Sequence, residues 1–546
     1  MALPVTFMAA APGVVPGSSP AEAAAALEAQ QRLRSQEQER ALREQLEPQP
    51  DAQRQASVLD PDFSAAKQGP LPVDETPCFV INKIILEGDA AEQFQWALPY
   101  ANPGHDPALG HCLGTQGINM VMARLQHALI DRGFVTSRVL VSPQKLDQGI
   151  LTLQLIPGRV RAIRFADGVT HRATLAILKS AVPIQPGDLL NLHDIAQAQE
   201  NFKRVPTAEI DIQITPATGA QAKLGESDLI IQWQQTRGFR LSAFADDSGT
   251  QSTGKYQGGV TLSFDHLLTL NDLFYITLNH DLGGGQAGDR GTRGNMLHYS
   301  VPYAYWLLSL TASSYHYHQT LPGYFRVLVR YSGESDNSEI RLARVLHRNG
   351  QRKTTAAVRL WSRNSRNFVN NTATENQQRR MAGWELSLHQ RELIAAAILD
   401  VTLTYYRGTG VLNTLPAPEE LFNEGTSRPQ ILSAQTQLTL PFQLGQQKLR
   451  YNLMARAQWN QTPLIPQDRF AIGGRYTVRG FDGESSLLAE RGYLVRNDLT
   501  VNLGHSGQEL YLGLDYGDID GPSSQFQIGK RLIGGVLGLR GSFKKR

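Results

Sequence analysis

The stretch Lys448-Leu-Arg-Tyr-Asn-Leu-Met-Ala-Arg-Ala-Gln-Trp459 has a period of two. Leu449, Tyr451, Leu453, Ala455, Ala457 and Trp459 fall on one side, while Lys448, Arg450, Asn452, Met454, Arg456 and Gln458 fall on the other. A strand sends successive side chains to opposite faces, so this segment has one apolar face and one face carrying cations. The same alternation recurs at 260–264, 274–278, 297–303, 401–405, 438–442 and 510–516. From residue 238 onward no helical period interrupts it, and the pattern predicts about fourteen strands.

A sheet with lipid on one side and water on the other requires this pattern. Backbone groups in lipid must be satisfied internally, which only a closed sheet achieves. Tyr and Trp at several strand ends fit an interfacial belt. The competing reading is a soluble sheet with one buried face. Arg, Lys and Asp on the opposite face of several long strands favour the membrane barrel.

Composition narrows the remaining classes. Of the 546 residues, 41% are hydrophobic and 19% charged, too polar for a bundle of membrane helices. The longest apolar run, 393–399, ends at Asp400 and is far too short for a spanning helix. The net charge of +3 is spread along the chain, which gives no support to nucleic-acid binding. The 13 histidines are scattered without metal-ligand spacing, and no catalytic motif is present, so the reading is a non-enzyme with no cofactor and no metal. The two cysteines, Cys78 and Cys112, fall in one short segment. Such scarcity with a local pair suits an exported protein with one disulfide, the alternative being two unrelated thiols.

Ahead of the barrel the chain divides into shorter units. Residues 1–20 are a candidate signal remnant: an apolar, Ala-rich stretch that lacks the charged start of a secretory signal. Residues 21–47 are almost all helix formers with a thin stripe of Leu27, Leu33, Leu42 and Leu46. Such a helix cannot bury itself in an ordinary core. It is either a solvated arm or a helix in a wet cavity. Residues 48–76 read as a linker. Two α/β modules follow at 77–158 and 159–236. The first predicts a strand from Phe79 to Leu86, a helix over 117–131 capped by Gly133, and strands over 135–141 and 150–156. The second predicts strands over 160–165, 210–214 and 228–233, with helices over 172–182 and 192–204. The similar order of elements suggests a tandem array. The barrel takes 237–546.

One stretch breaks the alternation: Gly473-Gly-Arg-Tyr-Thr-Val-Arg-Gly-Phe-Asp-Gly-Glu484. It is long for a hairpin loop, and long loops in compact architectures are often functional. At its centre, Val478, Arg479, Gly480 and Phe481 set one cation beside an aromatic ring. If the loop enters the lumen, Arg479 needs an acceptor there. Alternation puts Asp515, Arg496 and Asp498 on the lumen face, which makes Asp515 a good partner. The alternative is an exposed loop with a solvated arginine.

Val478-Arg479-Gly480-Phe481, the later Leu514-Asp515-Tyr516-Gly517 and the two modules before a barrel resemble the outer-membrane transporters of two-partner (type V) secretion. These are of the hemolysin, filamentous-hemagglutinin and contact-dependent-inhibition secretion type. The likeness runs over nearly the whole chain. It implies an α+β periplasmic part plus a transmembrane β-barrel: an N-terminal plug helix, two polypeptide-transport-associated (POTRA) domains and an antiparallel barrel of sixteen strands. It implies an outer-membrane location with the N-terminal domains in the periplasm. It also implies export of a large, unfolded partner exoprotein recognised through its N-terminal secretion signal, contact with outer-membrane lipid, and insertion by the barrel-assembly machinery. Arg479 would pair with Asp515 and hold the lumen loop. The rival within the superfamily is a barrel-assembly protein, which lacks a plug helix of this kind. The family carries about two more strands than are visible here, so the end at Phe543-Lys-Lys-Arg546 reads as truncated.

Overall fold

The computed structural model describes residues 70–541, apart from 169–173, 221, 323–327, 482, 484, 485, 505 and 506. The signal remnant, the helix at 21–47 and most of the linker lie outside the described residues.

In the first module the strand Ile150–Ile156 is central, with Lys83–Gly88 parallel on one side and Arg138–Leu140 antiparallel on the other. Helix Thr115–Asp131 turns Val121, Leu125, Ala128 and Leu129 onto Leu151, Leu153 and Leu155. That spacing is the apolar stripe of an amphipathic helix. Gly133, at φ 90°, takes the left-handed conformation that ends it.

The single strand expected from Phe79 to Leu86 is instead two. Phe79–Val80 pairs with Cys112–Leu113, and Lys83–Gly88 pairs with the central strand. The break has a backbone cause: Ile81 N–H donates to the His111 carbonyl, whereas Asn82 and Lys83 N–H donate to Gly149. The strand expected over 135–141 shrinks to Arg138–Leu140. Residues 91–101, for which the sequence suggested nothing, form a 3-10 helix and a short α-helix that bury Phe94, Ala97 and Ala101.

The end of the presumed linker is docked. Leu71 is buried in the first module's core, and its N–H donates to Asp106 Oδ2 at 2.9 Å. Glu75 accepts from the N–H groups of Gly114, Gln116 and Gly117 at 2.7–2.9 Å, capping helix Thr115–Asp131 from outside it.

The second module repeats the plan. Glu226–Gln235 is central, parallel to Arg159–Phe165 and antiparallel to Ala208–Pro216. Helices Leu175–Ala181 and Leu192–Lys203 cover it, with Phe202 and Trp233 fully buried. The modules are joined closely: Leu192 N–H donates to Gly133 O at 2.9 Å, and Arg159 pairs with Asp89 at 2.9 Å.

The rest is an antiparallel meander in which fourteen strands follow one another from Phe239–Asp246 to Arg531–Gly541, with Thr372–Ala373 a short side branch. Its burial is inverted relative to a water-soluble sheet. Val260, Leu278, Leu297, Ile340, Leu360, Leu388, Leu512 and Leu514 are all at least 40% exposed, while Thr261, Thr277, His298, Ser300, Ser365 and Asp515 are under 5% exposed. Apolar surface on the outside is stable only in lipid. No helix among the described residues is long and apolar enough to cross a membrane.

The second module sits at one end of this wall. Ser180 Oγ donates to Leu270 O at 3.0 Å, Asn201 Nδ2 to Ala304 O at 2.7 Å, and Arg348 Nη1 to Gln197 and Glu200 at 2.9 and 2.7 Å. Leu270, Ala304 and Arg348 lie at the turns on the same side of the sheet, the rim that the resemblance would place in the periplasm. The loops at 247–255, 284–290, 370–378, 410–429 and 521–530 lie at the opposite, outer rim.

Candidate functional site

The chain between Gln447–Asn460 and Arg491–Asn502 turns inside the wall instead of staying at the rim. Phe470–Ile472 pairs with Leu487–Ala489 as a short ribbon. Ile472, Val478, Leu487 and Ala489 then pack on Leu494 and Ile519 of the inner wall, with Phe470, Phe481, Leu532 and Met454 beside them. An apolar patch inside an otherwise polar lumen is what seats the loop.

Arg479 sits at the tip, its side chain 15% exposed. Its N–H donates to Asp515 Oδ2 at 2.9 Å, its Nε to the same oxygen at 2.7 Å, and its Nη2 to Asp515 Oδ1 at 2.6 Å. Nη1 donates to Asp498 Oδ1 at 2.7 Å. Arg496 Nε lies 3.8 Å from Asp515, and Arg496 Nη1 donates to Arg475 O at 3.4 Å. Two cations and two carboxylates thus neutralise one another. The forked bond to the fully buried Asp515 is the strongest geometry available to such a pair. Removing one member would strand a buried charge.

The wall makes room for this contact with glycine. A Cβ on Gly513 would lie 2.5 Å from Arg479 Nη2, and one on Gly517 would lie 2.9 Å from Val478 Cγ2. Gly534, directly across the ladder from Asp515, completes the set. The three glycines surround Asp515 on the inner face and let the loop backbone lie flat against the sheet. Sequence reasoning singled out Asp515 but missed Gly513 and Gly534. The available signal was glycine recurring two residues either side of an inward aspartate.

Both legs of the loop are also tied down. Arg363 Nη1 donates to Asp468 at 3.1 Å, beside Tyr406 stacked on Trp361 with ring centroids 4.6 Å apart. Glu490 accepts from Ser523 N–H at 3.1 Å and pairs with Arg469 at 3.3 Å. Arg475 reaches Asp247, just past the first barrel strand. The loop therefore bridges widely separated parts of the wall.

At the periplasmic rim, Glu200 of the second module is held between Arg348 and Lys353. Burial alone would raise its carboxyl, but the two cations outweigh burial and hold it at about 2. In the first module, burial likewise works against the Glu75 carboxylate, and its three backbone N–H donors keep it below the usual carboxylate range. Cys78, just before strand Phe79–Val80, is disulfide-bonded to Cys112, the first residue of the strand paired with it. No cluster of His, Cys, Asp or Glu able to hold a metal occurs among the described residues.

Residues 225–541 match the family described as haemolysin secretion/activation protein ShlB/FhaC/HecB. Residues 79–158 match the ShlB-type POTRA domain, and 159–216 match a POTRA domain. The chain is similar to "Outer membrane transporter CdiB-2" of Burkholderia pseudomallei (strain 1026b), at 34% identity over 91% of this chain and 85% of that protein. It is also similar to "Hemolysin transporter protein ShlB" of Serratia marcescens, at 24% identity over 75% and 71%. Among solved structures, CdiB from Acinetobacter baumannii superposes with a TM-score of 0.81 at 30% identity, covering 96% of this chain and 94% of that one.

Proposed function

Because the chain belongs to the haemolysin secretion/activation family ShlB/FhaC/HecB, whose members are transporters, we propose that it recognises a large partner exoprotein in the periplasm and exports it across the outer membrane. The two POTRA domains, divided at 77–158 and 159–236, receive the unfolded client through its N-terminal secretion signal. An exposed strand edge or groove on such a module can hold an extended peptide by adding it as a further strand. The barrel at 237–546 is the conduit, in contact with outer-membrane lipid and inserted by the barrel-assembly machinery. The client is of the adhesin, hemolysin or contact-dependent-inhibition toxin class.

The observation that carries this reading is a polar-lined wall with POTRA 2 bonded to its periplasmic rim and a loop anchored inside it by Arg479 and Asp515. A threaded, unfolded chain needs a lumen that offers water and hydrogen bonds along the way.

The test is co-expression with a candidate exoprotein of that class, with the client detected at the cell surface by antibody on intact cells. Surface client should depend on this chain. Equal surface display in its absence would overturn the assignment.

A further inference from the structure

On the outward wall, arginines gather on one flank just beyond the apolar rows. Four consecutive strands form this flank: Arg352–Val369, Arg379–Ile394, Ala397–Thr409 and Gln430–Leu444. Their outward apolar rows end toward the outer rim at Leu360, Trp384, Tyr405 and Leu432, with the Trp384 and Tyr405 rings 5.6 Å apart. Continuing along the same outward face come Arg366, Arg380 and Arg407, and Arg428 just precedes the fourth strand. Arg407 stands directly across the ladder from Trp384, and Arg380 across from Asn364.

The depth of these side chains follows from strand geometry. Each outward step of two residues advances about 6.6 Å along a strand, or roughly 5 Å along the membrane normal at the usual tilt. Arg407 is one such step past Tyr405, Arg380 two past Trp384, and Arg366 three past Leu360. They therefore stand roughly 5–15 Å beyond the hydrocarbon edge, from within the headgroup layer, about 5–8 Å deep, to just above it, where a long arginine side chain can bend back to the headgroups.

Their charge is not balanced in the wall. Arg366 bonds Glu334 at 2.7 Å, but the side chains of Arg380, Arg407 and Arg428 make no ion pair among the described residues. No outward position of these four strands beyond the Trp384–Tyr405 rows carries a carboxylate. The other flank is different: Arg491 donates to Asp520 at 2.8 Å and Arg531 to Asp518 at 2.6 Å, so its arginines are neutralised by the neighbouring strand. A solvated rim would need no such contrast between flanks. Planar guanidinium groups in a row above an aromatic layer match the forked geometry of phosphate monoesters.

We propose that Arg366, Arg380, Arg407 and Arg428 form a binding surface for the phosphorylated headgroup of an outer-leaflet lipid, fixing this flank of the barrel at the membrane surface. The probe is bis-phosphorylated lipid A, compared with the same lipid A stripped of its phosphates, added to the purified full chain in detergent and read by native mass spectrometry. The wild type should bind the phosphorylated form at least about tenfold more tightly. Arg380→Glu/Arg407→Glu should lose affinity by more than about 25-fold, the loss expected for merely removing two arginines at about fivefold each near an anionic surface. Arg531→Glu, on the other flank, should bind like the wild type. Only protein that migrates as folded without heating is scored, and Arg380→Gln/Arg407→Gln serves if the reversal fails to fold. Equal binding of the stripped lipid, or undiminished binding by the reversed or neutralised pair, overturns the proposal.

Discussion

A Cβ placed on Gly534 would lie 1.9 Å from the carbonyl oxygen of Arg479. The lumen loop and the wall meet there backbone to backbone, with no space for a side chain. Gly534→Val should therefore push the loop off the wall while leaving the strand ladder intact. Overpacking of this kind costs about 1–3 kcal/mol. Protease nicking at 474–481 from the outside should increase and secretion should fall. Gly529→Ala, with nothing within 4 Å of the new Cβ, is the control. Unchanged nicking in Gly534→Val would mean that the loop is not held by this contact.

Arg479 and Asp515 should behave as one unit. Arg479→Ala leaves a buried carboxylate, and Asp515→Ala leaves a mostly buried guanidinium still paired with Asp498. Each single change should destabilise the loop's docking by about 3–5 kcal/mol, and the double variant by clearly less than the sum. Client secretion should drop in each, while heat-modifiable migration shows that the barrel has still inserted. Strict additivity in the unfolding measurements would mean that the two side chains act separately.

The periplasmic rim carries a pH-dependent joint. The Glu200 carboxyl is held at about 2 against an ordinary 4.5. A depressed carboxylate contributes its stability in full above 4.5, and that contribution fades as the pH falls toward 2. A spin label on strand Ala208–Pro216 and another on a periplasmic turn should show a broadening distance distribution over that window. Glu200→Gln should give a broad distribution already at neutral pH. A wild-type distribution that stays narrow at pH 3 would remove Glu200 from the joint.

The disulfide joins residues 34 apart, enclosing the first strand, the 91–101 helices and the approach to helix Thr115–Asp131. Cys78→Ser/Cys112→Ser should cost the first module on the order of 3 kcal/mol. Hydrogen exchange should quicken at Phe79–Val80 and at the start of that helix, with no change in the barrel ladder. Faster exchange in barrel strands would mean that the modules do not unfold independently.

Much of this architecture was legible in the chain. The inverted alternation of residues such as Val260 with Thr261, and Leu514 with Asp515, is a local pattern, and local patterns survive without tertiary knowledge. Long strands such as Leu328–Arg348 were harder, because their outer halves carry Ser332, Glu334 and Asp336 where an apolar row would be expected. Beyond the bilayer an outward face no longer needs to be greasy. The break after Val80 was invisible, since it depends on His111 and Gly149 approaching from elsewhere in the chain. For the site, Asp498, Arg496 and Asp515 could be placed on one face by counting in twos, whereas Arg479 sits in a loop without that period and only the family resemblance settled its pairing with Asp515. The glycines beneath the loop could not, because a missing side chain reveals its purpose only when the neighbour that fills the space is known.

The docking of residues 70–77 on the first module defines a route for mechanical load. Tension applied to the polypeptide upstream of Leu71 is taken up first by that leucine in its socket and by the three hydrogen bonds that the Glu75 carboxylate accepts from backbone N–H groups. It then passes along helix Thr115–Asp131 to Gly133, across to Leu192, and through helix Leu192–Lys203 to Arg348 on the wall. A tug at the amino-terminal side is thereby delivered to the mouth of the conduit through folded parts, with no slack segment between.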